Sequence, residues 1–274
     1  MTLVVWTVNE ANSADVYAAR VDTLGNVLDP AGIPIVTVAF EQGTPAVASD
    51  GAGWFVVWTD RRDGASPDIF GARVSANGAV VESQGFAISR DPRDEGRPAV
   101  AYDGTNFFVA WSAGRDVRGA RVDTGGHVLD SDTILVATRQ ADGSSSPPRV
   151  AVGFDGTNWV AVWDDRRTET GSSMDVLATR VNAAGDVIDQ FVVAGTTADE
   201  SNPAIDCEGA ACLVAWDEAN GISAVRTSSG AVLDASHLRV VAQGAWSSIA
   251  HDGTNWLVAG LNYVGPSLRV TRVS

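Results

Sequence analysis

The sequence has no lysine, only three histidines and two cysteines, and no run of 18 apolar residues. Without lysine, Schiff-base chemistry and lysine-dependent nucleotide-binding loops are excluded. Without a long apolar run, there is no candidate membrane-spanning helix. The start also lacks the charged and apolar segments of a signal peptide. Residues 2–6 (TLVVW) instead look like a strand, so the start is either an arbitrary boundary or a cut made inside a larger protein.

Positive charge is scarce as well. The 274 residues carry 34 acidic and 19 basic side chains, all of the latter arginine, for a formal net charge of −15. Binding to a nucleic-acid backbone needs a basic stripe, and the sequence shows none. An acidic surface also disfavours adsorption to anionic lipid. We therefore expect no nucleic-acid partner, no membrane insertion and no cofactor.

The dominant positive feature is an internal repeat. Tryptophans recur at intervals of 52 or 53 residues, and a sixth copy has glycine in their place: Trp6, Trp58, Trp111, Trp163, Trp216 and Gly260. An Ala-Arg-Val or related segment follows each of them, centred on Arg20, Arg73, Arg121, Arg180, Arg226 and Arg272. A Gly-x-Val-Leu-Asp segment or variant then ends at Asp29, Glu82, Asp130, Asp189 and Asp234.

Each copy reads as four short strands, which we name a, b, c and d. Strand a (PAVA in several copies) precedes an Asp-Gly turn, strand b carries the tryptophan, and strand c carries the arginine. Four strands every 50 residues or so are typical of propeller blades. We predict an all-β propeller of four-stranded antiparallel blades with almost no helix, forming one domain over residues 1–274. Six blades, the first and last each lacking one strand, are favoured over five blades with a leftover hairpin after Thr254.

The repeat unit resembles the WD-repeat-like propellers of the TolB type, whose units contain S-D-R-x-G followed by D-I-Y. Residues 59–64 (TDRRDG) lead to residues 68–70 (DIF), and residues 164–167 (DDRR) lead to residues 175–177 (DVL). Similar repeats occur in surface-protein propellers of bacteria and archaea. The resemblance covers nearly the whole chain and implies the fold much more than any activity.

The lengths of the connections distinguish two faces of the expected propeller. The a–b turns have constant length, whereas the distance from the strand-b tryptophan to the strand-c arginine varies between 10 and 17 residues. Variable loops on a rigid scaffold usually carry recognition, so we expect ligands at the b–c/d–a face. The candidate binding residues there are Asp60, Arg61, Arg62, Arg90, Asp165, Arg166, Arg167 and Trp246. Ion pairs between blades are the alternative role for the charged ones.

The two cysteines bracket an a–b turn. Cys207 and Cys212 occupy positions that should face each other across the hairpin, within disulfide range. We predict a structural disulfide, and hence an extracytoplasmic protein. No histidine has ligand spacing to the cysteines, so we expect no metal site. Calcium at the acidic segment 91–95 is a lesser alternative.

The similarity of the blades argues against catalysis, because an active site breaks symmetry. A glycosidase needs a carboxylate pair, and among the strand-a segments only Asp206 supplies an acid. Nucleophile and metalloprotease motifs are also absent. The sequence therefore favours a non-catalytic module that binds a glycan or a protein partner. A structural propeller contacting neighbouring domains of a larger surface protein is the alternative, and a glycoside hydrolase is a weaker one.

Overall fold

The computed structural model describes residues 1–10, 13–64, 66–139, 147–167, 173–219, 221–262 and 267–274, without the side chains of Glu10, Arg167 and Ser173. Every regular element in these residues is a β-strand. None of the described residues belongs to a helix that could cross a membrane. By its contacts the chain divides into two compact units. Met1–Gly114 and Arg118–Thr133 form the first unit, and Arg115–Val117 and Ile134–Ser274 form the second.

The first unit contains two complete sheets and most of a third. We number the sheets as blades in chain order. Blade 1 has the strands β1 (Thr2–Glu10), β2 (Ser13–Val21) and β3 (Ile33–Val36). Blade 2 has β4 (Gln42–Ser49), β5 (Gly53–Asp60), β6 (Asp68–Ser75) and β7 (Phe86–Ser89). Blade 3 begins with β8 (Glu95–Tyr102), β9 (Asn106–Ala113) and β10 (Asp116–Asp123).

The second unit contributes β11 (Ile134–Thr138), the last strand of blade 3, and three further blades. Blade 4 has β12 (Val150–Phe154), β13 (Trp159–Arg167), β14 (Ser173–Val181) and β15 (Val187–Ala194). Blade 5 has β16 (Glu200–Glu208), β17 (Ala211–Glu218), β18 (Gly221–Ser228), β19 (Ala231–Val232) and β20 (Leu238–Ala242). Blade 6 has β21 (Gly244–His251), β22 (Trp256–Asn262) and β23 (Ser267–Val273).

The fold class is the predicted one, an all-β propeller with six blades. Neighbouring strands pair antiparallel in chain order, as in the register of β5 with β4 and β6. Within the described residues, blade 1 has the strands b, c and d and blade 6 has the strands a, b and c, as the repeat count indicated. In blade 5, strand d is split into β19 and β20, which both pair with β18. The prediction of a single domain over the whole chain stays a prediction.

The repeated tryptophans build the core. Trp58, Trp111, Trp163 and Trp216 are buried, whereas Trp6 in the incomplete first blade is half-buried. In the sixth copy, a Cβ added at Gly260 would lie 2.2 Å from Cδ1 of Ile222 in blade 5. The isoleucine therefore fills the space that the tryptophan occupies elsewhere, which explains how this copy packs without it.

The other two sequence landmarks of the repeat are one interaction. In each of blades 1 to 5 the strand-c arginine pairs with the acid that ends the following Gly-x-Val-Leu-Asp segment: Arg20–Asp29, Arg73–Glu82, Arg121–Asp130, Arg180–Asp189 and Arg226–Asp234. The guanidinium hydrogen bond to Asp29 lowers the pKa of that carboxyl to about 2. These arginines therefore stabilise the c–d turns.

The a–b turns are equally regular. Asp50, Asp103, Asp155 and Asp252 each accept hydrogen bonds from the backbone two and three residues later. In blade 5 this hairpin holds Cys207 opposite Cys212, and the structure joins them as a disulfide. The acids and cysteines of this edge are thus occupied by local structure, which leaves the opposite edge of each blade for function.

Candidate active site

A strained bulge opens strand a in four blades. The register between strands a and b shifts there, and a residue other than glycine takes a positive φ: Thr44, Arg97, Asn202 and Trp246. Left-handed backbone is costly for such residues and persists only where the surrounding structure enforces it. In blades 2 and 5 the side chain of the bulge residue contacts the end of strand b, as Thr44 does with Thr59 and Asn202 with Asp217.

The strand-b residue after the repeated tryptophan lies at the same edge and differs between the two units. In the first unit it is a hydroxyl residue, Thr7, Thr59 or Ser112, and in the second it is a carboxylate, Asp164 or Asp217. Both carboxylates are almost fully buried. Burial of a charged group is unfavourable unless it is paired, so these two positions require partners.

Asn202, at the bulge of blade 5, links the two carboxylates. Its side-chain amide nitrogen donates to Oδ2 of Asp217 at 2.6 Å, and its backbone nitrogen to Oδ2 of Asp164 at 3.3 Å. The backbone nitrogen of Arg149 donates to Oδ1 of Asp164 at 2.8 Å. Backbone of blade 6 completes the arrangement, since the nitrogen of Trp246 donates to Oδ2 of Asp217 at 3.0 Å.

Asp217 borders a cavity of about 250 Å³, which we call the carboxylate cavity. Its wall includes Asp199, Ser201, Asn202, Asp217, Glu218 and Ala245. The Glu218 side chain accepts a hydrogen bond from Ser223 Oγ at 2.7 Å, and Arg239 Nη2 lies 3.9 Å from the same oxygen. Two acids, Asp217 and Glu218, therefore reach one cavity from the end of a single strand.

Two oxygens of this wall lack partners. Oδ1 of Asp217 and Oδ1 of Asn202 are buried and have no hydrogen-bond partner among the described residues. Buried polar atoms are normally satisfied, so unsatisfied ones indicate a place for a ligand or water. Burial raises the pKa of Asp217, although the hydrogen bonds from Trp246 and Asn202 oppose the shift. Burial likewise raises the pKa of Asp164.

An exposed aromatic side chain belongs to Trp246, the residue whose backbone nitrogen hydrogen bonds to Asp217. The side chain of Trp246 is 61% exposed, and the Arg149 guanidinium lies 5.4 Å from its ring centroid. An exposed indole held by a strained backbone and a cation is a suitable platform for an apolar ligand face. Among the residues singled out from sequence, Trp246 is the one that the structure places next to the carboxylate pair.

The candidates in blade 2 form a separate group. Asp60 is buried, accepts the indole N–H of Trp58 at 2.8 Å and pairs with Arg62 at 2.6 Å. Arg62 stacks on Phe70, with its guanidinium carbon 3.9 Å from the ring centroid. Arg90 pairs with Asp63, and Arg61 is 3.8 Å from Glu41. Asp60 and Arg62 therefore join elements of one blade, and Arg61 and Arg90 remain partly exposed.

The candidates in blade 4 are mostly enclosed. Asp165 and Arg139 are both buried, with Arg139 Nε 3.4 Å from Asp165 Oδ1. Arg166 is half-buried, and the side chain of Arg167 lies outside the described part of the chain. In the acidic segment of blade 3, Asp91 pairs with Arg93 at 2.6 Å. Among the described residues, no three His, Cys, Asp or Glu side chains form a possible metal site.

Sequence reasoning missed Asp164, Asn202, Asp217 and Glu218. The search for a carboxylate pair considered only the inner strand a, whereas these acids lie at the ends of strand b. A signal was present in the repeat itself, because the position after the tryptophan changes from Thr or Ser to Asp only in blades 4 and 5.

No protein-family model matches the chain, and a search of curated proteins finds no match. Solved structures match its fold. An exo-β-1,3-galactanase of Phanerochaete chrysosporium has a TM-score of 0.52 at 13% identity, over 99% of this chain and 64% of that one. An α-L-arabinofuranosidase of Lactobacillus brevis has a TM-score of 0.50 at 12% identity, over 84% and 90%. A Bacteroides fragilis protein with a proposed 6-phosphogluconolactonase activity reaches 0.55 at 16%, over 98% and 80%.

These similarities confirm the propeller fold that the resemblance to TolB-type repeats implied. TolB of Acinetobacter baumannii itself matches with a TM-score of 0.49 and 11% identity, over 99% of this chain and 63% of that one. That similarity is too low to support kinship, and no sequence family supports it either.

The prediction of a non-catalytic binding or structural propeller is wrong. Glycoside hydrolases recur among the similar structures, and a thermostable family-43 enzyme also matches with a TM-score of 0.50. The sequence argument looked for acids on strand a, whereas the buried carboxylates Asp164 and Asp217 come from strand b, at a position where the repeat varies. At 10–13% identity the similarity shows the fold alone, so the reaction is a matter for proposal.

Proposed function

We propose that the chain is a glycoside hydrolase with its active site at the carboxylate cavity. The observation that carries this proposal is the pair of acids, Asp217 and Glu218, on the wall of one cavity, with Asp164 behind them. Hydrolysis of a glycosidic bond needs one carboxylic acid to protonate the leaving oxygen and one carboxylate to act as base or nucleophile.

Asp217 has the properties of the general acid. Burial raises its pKa, so the carboxyl keeps its proton to higher pH than an exposed aspartate. Its Oδ2 accepts from Asn202 and Trp246, whereas Oδ1 has no partner among the described residues. The proton therefore belongs on Oδ1, the carboxyl oxygen that accepts no hydrogen bond from the described residues.

Glu218 is the second carboxylate in this proposal. Ser223 donates a hydrogen bond to its Oε2 at 2.7 Å, and Arg239 Nη2 lies 3.9 Å from the same oxygen. Asp164 does not line the cavity and accepts hydrogen bonds from the backbone of Asn202 and Arg149. We assign Asp164 and Asn202 as positioning residues that hold Asp217 in place.

A neutral glycan is the substrate class that this site suits. The exposed indole of Trp246 can stack on the apolar face of a sugar ring, and the backbone nitrogen of the same residue hydrogen bonds to Asp217. The names of the similar enzymes, an arabinofuranosidase and a galactanase, support arabinose- and galactose-containing glycans as the first to test.

The disulfide between Cys207 and Cys212 supports an extracytoplasmic location. The TolB-like pattern of the repeats supports WD-repeat-like ancestry.

The test is hydrolysis of aryl α-L-arabinofuranosides and β-galactosides by the purified chain and its Asp217→Asn and Glu218→Gln variants. Loss of the general acid should reduce kcat/KM by about 10³-fold for a poor leaving group and much less for dinitrophenol. Glu218→Gln should reduce both equally. Activity should fall as pH rises through the pKa of Asp217, and this alkaline limb should disappear in Asp217→Asn.

Asp234→Asn is the matched control. This aspartate lies in the same blade and pairs with Arg226 at the opposite edge, so its loss should leave kcat/KM unchanged. Unfolding curves of all variants would exclude misfolding as the cause of lost activity. Activity in Asp217→Asn equal to that of the unmodified chain would contradict the proposal, as would the absence of hydrolysis across the panel.

A further inference from the structure

The first unit has a cavity of about 450 Å³ at the corresponding edge of blades 1 and 2. Its wall includes Thr7, Asn9, Gln42, Thr44, Thr59 and Arg61, and we call it the hydroxyl cavity. The hydroxyls of Thr44 and Thr59 are 2.7 Å apart and share one hydrogen bond. The wall therefore offers several uncharged donors and acceptors within one concave surface.

Gln42 gives the cavity an unsatisfied acceptor. The residue is fully buried, and its amide nitrogen donates to the carbonyls of Ala39 and Phe40, which fixes the orientation of the side chain. Its Oε1 has no hydrogen-bond partner among the described residues. A buried acceptor without a donor is unfavourable by about 1–3 kcal/mol, so a ligand hydroxyl at this wall would be stabilising.

The charges at the cavity balance. Glu41 and Arg61 are the two charged residues of the wall, and the Arg61 Nε lies 3.8 Å from the Glu41 carboxylate. A phosphate or carboxylate ligand would meet Glu41, and a cationic ligand would meet Arg61. A neutral polyhydroxy compound needs no charge compensation and can use the threonine hydroxyls and side-chain amides together.

We propose that the hydroxyl cavity is a second carbohydrate site, which binds neutral oligosaccharides without cleaving them. Among the side chains that the structure describes, Glu41 is the one carboxylate lining the cavity, and it is 72% exposed and close to Arg61, so this wall holds no acid pair of the kind that hydrolysis requires. The proposal does not depend on hydrolysis at the carboxylate cavity. Its chemistry follows from the hydroxyl and amide groups of the wall and from the acceptor on Gln42.

The test is calorimetric titration of the full chain carrying Asp217→Asn with β-1,3-galactotriose and α-1,5-arabinotriose. Thr59→Val keeps the shape of the side chain and removes its hydroxyl, so it should weaken binding of at least one trisaccharide about tenfold. Thr59→Ser keeps the hydroxyl and should bind as Thr59 does. Thr7→Val provides a second change of the same kind at the opposite wall.

Thr105→Val is the matched control, because Thr105 is exposed in an a–b turn at the other edge of blade 3. It should leave affinity unchanged. Two outcomes would overturn the proposal: no saturable binding of either trisaccharide, or binding that is lost in Trp246→Ala and unaffected by Thr59→Val and Thr7→Val. The second outcome would leave the carboxylate cavity as the only carbohydrate site, and hydrolysis assays would judge that site separately.

Discussion

The hydroxyl cavity and the carboxylate cavity use the same positions of the repeat for different chemistry. In blade 2 the bulge residue Thr44 hydrogen bonds to Thr59, the residue after the tryptophan, at 2.7 Å. In blade 5 the bulge residue Asn202 hydrogen bonds to Asp217, the equivalent residue, at 2.6 Å. The backbone geometry is shared, with a positive φ at both bulges.

The difference shows where a repeat protein can acquire chemistry. Buried tryptophans stabilise blades 2 to 5 and arginine–acid pairs stabilise blades 1 to 5, so both features recur with little variation. Two other positions, the bulge of strand a and the end of strand b, take no part in the tryptophan core or in the arginine–acid pairs. A hydroxyl there is easily satisfied, whereas a buried carboxylate requires added donors, which Asn202 and the backbone of Trp246 supply to Asp217.

The largest expected effect comes from replacing the carboxylate of one cavity by the hydroxyl residue of the other. Asp217→Thr gives the carboxylate cavity the residue of the hydroxyl cavity, and hydrolysis should fall by about 10³-fold because the proton donor is lost. The melting temperature should change little, because the cost of burying the carboxyl is removed while the threonine hydroxyl can still accept one of the two hydrogen bonds. Steady-state kinetics and thermal unfolding of the same preparations measure both.

Thr59→Ser in the hydroxyl cavity is the control for this exchange, and it should change neither kinetics nor stability appreciably. Retention of hydrolysis in Asp217→Thr would mean that the carboxylate at this position is not the proton donor. A large drop in melting temperature would mean that Asp217 is there for stability and that its catalytic assignment is mistaken.

A second comparison concerns the acids at the start of strand a, Glu95 in blade 3 and Glu200 in blade 5. Burial raises the pKa of both, and that of Glu95 to about 7. Because the folded state holds this proton more tightly than the unfolded state, the contribution of Glu95 to stability is complete below pH 4.5. It is then lost as pH rises to about 7, and the whole change is about 3 kcal/mol.

Glu95→Gln should remove this part of the pH dependence. A glutamine carbonyl can still accept the hydrogen bonds that Ser89 and Trp111 donate to Glu95. The free energy of unfolding, measured in urea at several pH values, should therefore fall less between pH 4.5 and 7 in the variant. Glu41→Gln, at an exposed side chain, should leave the curve unchanged. Parallel curves for Glu95→Gln and the unmodified chain would contradict the assignment.

Most of the fold could be predicted from the sequence, because the residues that form the core and the turns recur in five or six copies of the repeat. The spacing of Trp58, Trp111 and Trp163 located the blades, and the missing strands of blades 1 and 6 followed from counting. The register across the hairpin placed Cys207 opposite Cys212. Strand breaks within a blade, such as the gap between β19 and β20, left no such repeated signal.

The site could not be predicted in the same way, because it lies where the repeat varies. Trp246 drew attention as an isolated exposed aromatic, and the structure places it beside Asp217. The bulge that brings Asn202 between two carboxylates depends on backbone geometry, which the side-chain pattern does not show. The features that the blades share therefore predicted the fold. Asp164 and Asp217 were missed because they stand at a position where the blades differ.

The smallest predicted effect comes from comparing blades 2 and 5 again, this time at their buried tryptophans. The indole N–H of Trp58 donates to the buried carboxylate of Asp60 at 2.8 Å, whereas the indole N–H of Trp216 has no partner among the described residues. Both side chains are fully buried, so Trp→Phe removes a similar volume at each. Trp58→Phe should therefore be more destabilising than Trp216→Phe by about 2 kcal/mol, the contribution of a hydrogen bond to a charged group. Urea unfolding of the two variants measures the difference, and equal losses would show that the indole of Trp58 contributes packing alone.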